Sequence, residues 1–382
     1  MTIFPIAEFE KQRTPFYFYD IELLRKTLDE IKRHSNHPGY HVHYAIKANV
    51  NLVILDEIRK AGLGVDCVSG GEVETALNAG FPANKIVFAG VGKSDWEIEL
   101  GLKNDIACFN VESLPELEVI QDIAARMGKV ARVALRVNPN IDAHTHHYIT
   151  TGLAENKFGI NLEKLDEIID AAIKMPNIEL QGLHFHIGSQ ITINDPFKLL
   201  SEKINELQAK YAEKGITFKS INVGGGLGID YDNPNENEIS DFEGYFNTFN
   251  KYLKLNEGQE LHFELGRSVV GQCGNLITRV LYVKEGTEKK FAIVDAGFTE
   301  LIRPALYQAH HNIENLSGNE DIIEKYDVVG PICESSDCFA ENELLPLLKR
   351  GDILAIRSAG AYGEIMASQY NCRKLPKSIY KI

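Results

Sequence analysis

The stretch YHVHYAIKANVNLVILDEIRKAGLGVDCV, residues 40–68, decides the architecture. It opens with a short run rich in strand-forming residues, Tyr40 to Ile46, continues with a longer segment of helical period, and closes on a second short run, Gly64 to Val68. The same alternation repeats to residue 264, with further runs at Lys85-Ala89, Ala107-Val111, Arg132-Val137, Gln181-Ile187, Ser220-Val223 and Glu260-Glu264. Repeated strand–helix units ending in an eighth run predict an α/β fold, a (β/α)8 barrel of the TIM type. Beyond Glu264 the helical period fades, and runs at Leu276-Val283, Phe291-Val294, Asp327-Val329 and Ile353-Arg357 predict a β-rich second domain. Phe16-Tyr17-Phe18-Tyr19 is strand-like and precedes the first helix, so it is expected to join that second sheet. The expected domains are residues 23–267 for the barrel, and 1–22 plus 268–382 for the β-rich part, a sandwich or barrel.

Composition bounds the function. A chain of 382 residues exceeds one ordinary hydrophobic core, which agrees with two domains. No apolar run approaches the roughly 20 residues that span a bilayer, so no membrane role is expected. The start, with Glu8, Glu10 and Lys11 soon after Met1, lacks a basic leader and long apolar region, which predicts a cytoplasmic protein. Cys67, Cys108, Cys273, Cys333, Cys338 and Cys372 form no C-x-x-C pair, against a zinc ribbon or a disulfide framework. A net charge of −14 argues against nucleic acid, though a few aimed amides and arginines still suffice for a small anion.

In such a barrel the residues just past each strand form the active site. Here they are Lys47, Asp66, Arg136, His186, the glycines Gly224, Gly225 and Gly226, and Glu264 with Arg267. Lys47 follows an apolar run, where partial desolvation makes its amine a nucleophile for an aldehyde; alone, it reads equally as a surface lysine. The run Gly224-Gly225-Gly226-Leu227-Gly228 after the seventh strand suits a phosphate, or else a tight structural turn. It does not match the dinucleotide pattern G-x-G-x-x-G, and it comes late in the chain. His184 and His186 fall on one face of the sixth run and invite a metal, but Lys47, Arg136 and Arg267 would surround that metal with positive charge, so none is assigned. Glu264 and Arg267 supply an acid for a ring nitrogen and a guanidinium for phosphate, or simply a local salt bridge. The connection Asn138–Asn156, with Asp142, His144, His146 and His147, is long enough to be functional.

Together these motifs resemble the diaminopimelate decarboxylases, pyridoxal-phosphate enzymes of fold type III that share a barrel with ornithine decarboxylase and alanine racemase. The likeness runs over nearly the whole chain. It is carried by Tyr44-Ala45-Ile46-Lys47-Ala48-Asn49, Ser69-Gly70-Gly71-Glu72, the stretch from Thr151-Gly152-Leu153 to Lys157-Phe158-Gly159, His186-Ile187-Gly188-Ser189-Gln190, the glycine run, Glu264 to Arg267, and three C-terminal segments. The resemblance implies that Lys47 binds the aldehyde of pyridoxal 5'-phosphate as an imine, that His186 stacks on the cofactor ring and that Glu264 pairs with its nitrogen. It implies phosphate binding by Ser189, Gly224, Gly225, Gly226, Gly266, Arg267 and Tyr362, with Asp66 and Arg136 in support. For the substrate it implies Arg303, Tyr307, Arg267, Tyr362 and Glu334, with Cys333 as catalytic acid. Cys333 and Glu334 match residues that reach the site from a partner subunit, so a homodimer with shared active sites is implied. The family commonly has proline where Leu265 stands, which puts only the fine geometry of that turn in question.

The implied reaction is decarboxylation of meso-2,6-diaminopimelate to L-lysine, the last step of lysine biosynthesis. Its distal carboxylate and amine suit Arg303 and Glu334. Decarboxylation of ornithine, arginine or carboxynorspermidine is the alternative, but a substrate without a distal carboxylate leaves Arg303 facing an unpaired site. A barrel metallohydrolase, a racemase and a catalytically silent relative are the other readings. The silent relative is expected to lack Lys47 or Cys333, and both are present.

Overall fold

The computed structural model describes residues 4–141, 157–318 and 322–382. The expectations for Asp142, His144, His146 and His147, and for the Thr151-Gly152-Leu153 part of the family motif, therefore lie outside the described residues. The chain divides into two compact units, one of residues 28–228 and 241–266, the other of 1–27, 229–240 and 267–382. Residues 229–240 thus pack apart from the barrel segment that contains them in sequence.

The first unit is a closed barrel of eight parallel strands. In chain order they are Tyr40–Ala45, Gly64–Cys67, Ile86–Phe88, Cys108–Val111, Ala131–Asn138, Ile178–His184, Ser220–Asn222 and Glu260–Leu265. Each pairs with the next, and the eighth closes on the first in the register Leu261↔Tyr40 to Leu265↔Tyr44. The sequence sets each turn from strand to helix. Ser69 Oγ accepts the Glu72 N–H at 3.2 Å to start Gly70–Asn78, and Ser113 Oγ accepts from Glu116 to start Leu114–Met127, which ends on Gly128 at φ +64°. Gly182 is obligatory, because a Cβ there would lie 1.7 Å from the Ser220 carbonyl oxygen on the neighbouring strand. Outside strand eight, helices Asp195–Glu213 and Phe242–Tyr252 pack through Phe197, Tyr245, Phe246, Phe249 and Phe263, all buried. The edge-to-face pairs Phe197–Tyr245 and Phe246–Phe263, both at 4.9 Å, each add about 1 kcal/mol beyond their buried area.

The second unit is built on an eight-stranded sheet. Its main path runs Ile313–Asn315, Ile353–Ile356, Gly274–Glu285, Lys290–Val294, Ile323–Val329, Cys338–Pro346. The N-terminal strand Phe16–Asp20 joins it as expected, antiparallel to Gly274–Glu285 and parallel to Lys377–Lys381. That strand is buried on both faces, and its alternation sorts the two. Phe16 and Phe18 enter an apolar core with Phe9, Ile277, Ile353 and Ala355. On the other face Tyr17 Oη donates to the Glu300 carbonyl and Tyr19 Oη to Glu364, both at 2.7 Å. Residues 229–240 are tied in by Arg357, fully buried, whose guanidinium donates to Glu314, Asn235 and Asn275 at 2.6 to 3.0 Å. Among the described residues no helix is long and apolar enough to cross a membrane.

Candidate active site

The C-terminal mouth of the barrel gathers the residues expected there. Lys47 sits half-buried in a one-turn 3-10 helix, Ile46–Ala48, directly past strand one, with Ile46 and Ala48 buried on either side of it. Gly266 closes against this turn, and a Cβ on it would stand 3.1 Å from Ala45 Cβ and 3.3 Å from Ala48 Cβ. Asp66 is buried on strand two, beside Ala45 in register. Burial pushes its carboxyl well above the ordinary range, the charge of Glu264 adds to that, and Lys47 and Arg136 pull the other way. Glu72 accepts the Val68 N–H at 2.7 Å; burial raises its carboxyl to about 7, in part against that hydrogen bond.

Glu264, buried near the end of strand eight, is fixed from three sides. Asn222 Nδ2 and Asn110 Nδ2 donate to Oε1 at 2.7 and 3.2 Å, and His184 Nε2 meets Oε2 at 3.0 Å. Burial raises its pKa, partly offset by Asn222, Lys47 and Arg136. Arg136 is held by an ion pair to buried Glu112 at 2.9 Å, and its guanidinium lies over the Phe158 ring at 4.7 Å. Glu112 also accepts the N–H groups of Gly90 and Gly159.

The expected pairing of two histidines on one strand face is corrected here. Strand six ends at His184, which turns to Glu264, whereas His186 lies in the connection beyond it. The alternation continues to Ile187 because that connection also packs against the barrel, so burial outlasts the sheet. His186 Nδ1 accepts the Gly225 N–H at 3.3 Å, and burial together with Arg136 and Lys47 keeps the imidazole neutral. The glycine run threads between the exits of strands six and eight. A Cβ on Gly224 would fall 2.2 Å from the Phe185 carbonyl oxygen, and one on Gly225 would fall 1.8 Å from that of Glu264. Gly224 and Gly226 have φ of +69° and +117°. The Gly224 amide is spent on Asn222 Oδ1 and the Gly225 amide on His186, so these two glycines shape the cradle sterically.

This donor set fits pyridoxal phosphate. Asp66 Oδ1 and His184 Nδ1 are buried with no hydrogen-bond partner, each a cost of about 1–3 kcal/mol that a bound polar or cationic group offsets. Two buried carboxyls near a lysine, beside a cradle that no Cβ could enter, suit a cationic ring with an aldehyde and a phosphate.

The sheet unit carries a second cluster. Arg267 and Arg303, both buried, donate to Tyr231 Oη at 2.6 and 2.9 Å. Burial alone would raise the Tyr231 phenol, but the two guanidiniums outweigh it and hold it below the ordinary range. Arg303 also donates to His311 Nε2 at 2.9 Å, and burial with Arg303 depresses His311 to about 3, leaving it a neutral acceptor. Tyr362, at the left-handed φ of +57°, takes the Arg267 guanidinium over its ring at 5.0 Å. Tyr307 ends the short helix that Arg303 begins. Buried Asp337 accepts the N–H groups of Ile332 and Phe298 and so shapes the loop on which Cys333 and Glu334 stand exposed. Tyr370 Oη donates to Glu334 at 2.6 Å.

Residues 24–271 match the family model described as pyridoxal-dependent decarboxylase, pyridoxal binding domain. The chain is also 61% identical to the diaminopimelate decarboxylase of Bacteroides thetaiotaomicron over 98% of its own length and 97% of that protein's. The chain belongs to the diaminopimelate decarboxylase family. Solved structures agree. The diaminopimelate decarboxylase of Helicobacter pylori complexed with L-lysine is 42% identical, with a TM-score of 0.91 over 98% of this chain and 93% of that one. The one from m. jannaschii, also with L-lysine, is 36% identical, with a TM-score of 0.90 over 98% and 89%. Within this diaminopimelate decarboxylase framework, Asn110, Asn222, Glu112, Tyr231 and His311 escape a reading of the sequence, and His184 is marked there without its partner Glu264. Buried asparagines within strands are a usable signal for the first two; Tyr231 sits in a polar connection with no period to mark it.

Proposed function

We propose that the chain releases CO2 from meso-2,6-diaminopimelate to give L-lysine, the last step of lysine biosynthesis, with pyridoxal 5'-phosphate as cofactor. The observation that carries this reading is the buried Glu264 carboxylate, fixed by Asn110, Asn222 and His184 at the mouth where Lys47 stands. Bound pyridoxal phosphate supplies the sink for the electron pair left when the carboxylate departs as CO2. Lys47 would hold the aldehyde. Glu264 would favour a proton on the ring nitrogen, an electrostatic contribution that grows as negative charge develops. Neutral His186 would pack against the ring, Asp66 and Arg136 would set the charge around it, and Ser189, Gly226, Gly266, Arg267 and Tyr362 would hold the phosphate in the cradle that Gly224 and Gly225 shape.

Arg303, Tyr307 and Glu334, with Arg267 and Tyr362, bind the substrate, and the Cys333 thiol returns a proton to the α-carbon. Exposure of Cys333 and Glu334 on their own chain supports a homodimer in which each serves the partner's site. The domain division at residues 23–267, with residues 229–240 set in the sheet unit, is part of the same proposal, as is a cytoplasmic setting with a free amino acid as substrate. Purified enzyme with pyridoxal phosphate should release one CO2 and one L-lysine per meso-diaminopimelate consumed. Release from ornithine, arginine or carboxynorspermidine but none from diaminopimelate would refute the substrate assignment.

A further inference from the structure

At the N-terminal mouth of the barrel, opposite Lys47, a cavity of about 600 Å³ is lined in part by His41, His43, Lys85, Glu260 and His262. The three histidines and Glu260 lie where the first and last strands close the barrel, with His41 and His262 side by side in register. Their rings form a row, His41 over His262 at 4.9 Å and His262 over His43 at 5.2 Å.

Hydrogen bonds run along this row. The Lys85 carbonyl can only accept, so His43 Nδ1, 3.3 Å away, carries the hydrogen. His43 Nε2 and His262 Nδ1 lie 2.9 Å apart, a contact that turns His262 Nε2 out of the row. There His262 Nε2 stands 3.3 Å from Glu260 Oε2, and His41 Nε2 stands 3.6 Å from Glu260 Oε1. Two imidazole nitrogens and a carboxylate thus converge on one small space, the donor set of a cation site.

We propose that His41 Nε2, His262 Nε2 and the Glu260 carboxylate bind a divalent transition metal of the Zn²⁺ class. The three ligand atoms lie within 4.8 Å of one another. Two ligands of a tetrahedral ion with bonds of about 2.1 Å stand roughly 3.4 Å apart, close to the two separations to Glu260. A backbone carbonyl, His43 and then His262 form the outer chain that orients a metal-binding imidazole and raises its basicity. The His41 and Glu260 side chains are 47% and 52% exposed, so the fourth position opens to water. Neighbouring cations are engaged elsewhere: Lys85 Nζ donates to the Gly62 carbonyl and Arg132 pairs with Asp105. A metal here clips the closing seam of the barrel, and the N-terminal face is where barrels carry stability rather than catalysis.

Holoenzyme stripped with chelator and dialysed against Zn²⁺ tests this by metal content per chain and by Tm, with His41→Gln and Glu260→Gln as variants at exposed positions. Wild type should retain one equivalent that both variants lose, with affinity at least about tenfold weaker, and Zn²⁺ should raise the Tm of wild type alone. Metal-free, all three should share one Tm and one decarboxylation rate. Equal retention in wild type and variants, or a Tm that responds to Zn²⁺ alike in all three, overturns the site and leaves a direct His262–Glu260 contact in its place.

Discussion

Replacing Lys47 by alanine should lower kcat on the order of 10⁴-fold and leave the barrel folded. The structural parts of its turn are the buried neighbours Ile46 and Ala48, which pack below the mouth, whereas Lys47 is only half-buried. The variant should therefore unfold within a few degrees of wild type while losing the amine that carries the aldehyde. Removing this cation also pushes Asp66 further toward its protonated form, because Lys47 is one of the charges that oppose its rise. Steady-state CO2 release and a thermal melt measure the two effects separately. A variant that keeps a tenth of wild-type turnover would remove Lys47 from the chemistry.

Glu264→Gln should cost about 10²–10³-fold in kcat, with little change in KM, and the accompanying change in stability should have the opposite sign. The glutamine oxygen can still accept from Asn110 and Asn222, and the amide nitrogen faces His184, so the shape of the cluster survives. Only the charge is lost. Because burial raises the Glu264 pKa, ionising it costs the folded apoenzyme stability as pH rises above the unfolded carboxyl's value, and that cost is absent below it. The apo variant should therefore match wild type near pH 4 and exceed it in Tm at pH 8. A slower enzyme that is also less stable at pH 8 would show that Glu264 serves packing instead.

The barrel was legible because the strand–helix units write their own punctuation: a short apolar run, a serine, asparagine or aspartate at the cap, then an amphipathic segment. Ser69 and Ser113 cap helices at the positions where the runs give way to helical period. Less legible were the edges of the second unit. Ile313–Asn315, Cys338–Pro346 and Lys377–Lys381 escaped because strands with an exposed face or a free edge dilute the apolar pattern, whereas Phe16–Asp20 and Ile353–Ile356, buried on both faces, announce themselves. Within the site, strand-end position exposed Lys47, Asp66, Arg136, Glu264 and the glycines as candidates. Their partners are not local: Asn110 meets Glu264 across 154 residues, His184 across 80 and Asn222 across 42. No spacing rule within a window of sequence connects such pairs; closure of the barrel does.

On the proposed function, one lysine of this decarboxylase holds the cofactor. Enzyme loaded with pyridoxal phosphate, reduced with borohydride and digested, should yield a single pyridoxyl-labelled peptide with the label on Lys47. Label on any other lysine, or no incorporation at all, would contradict it.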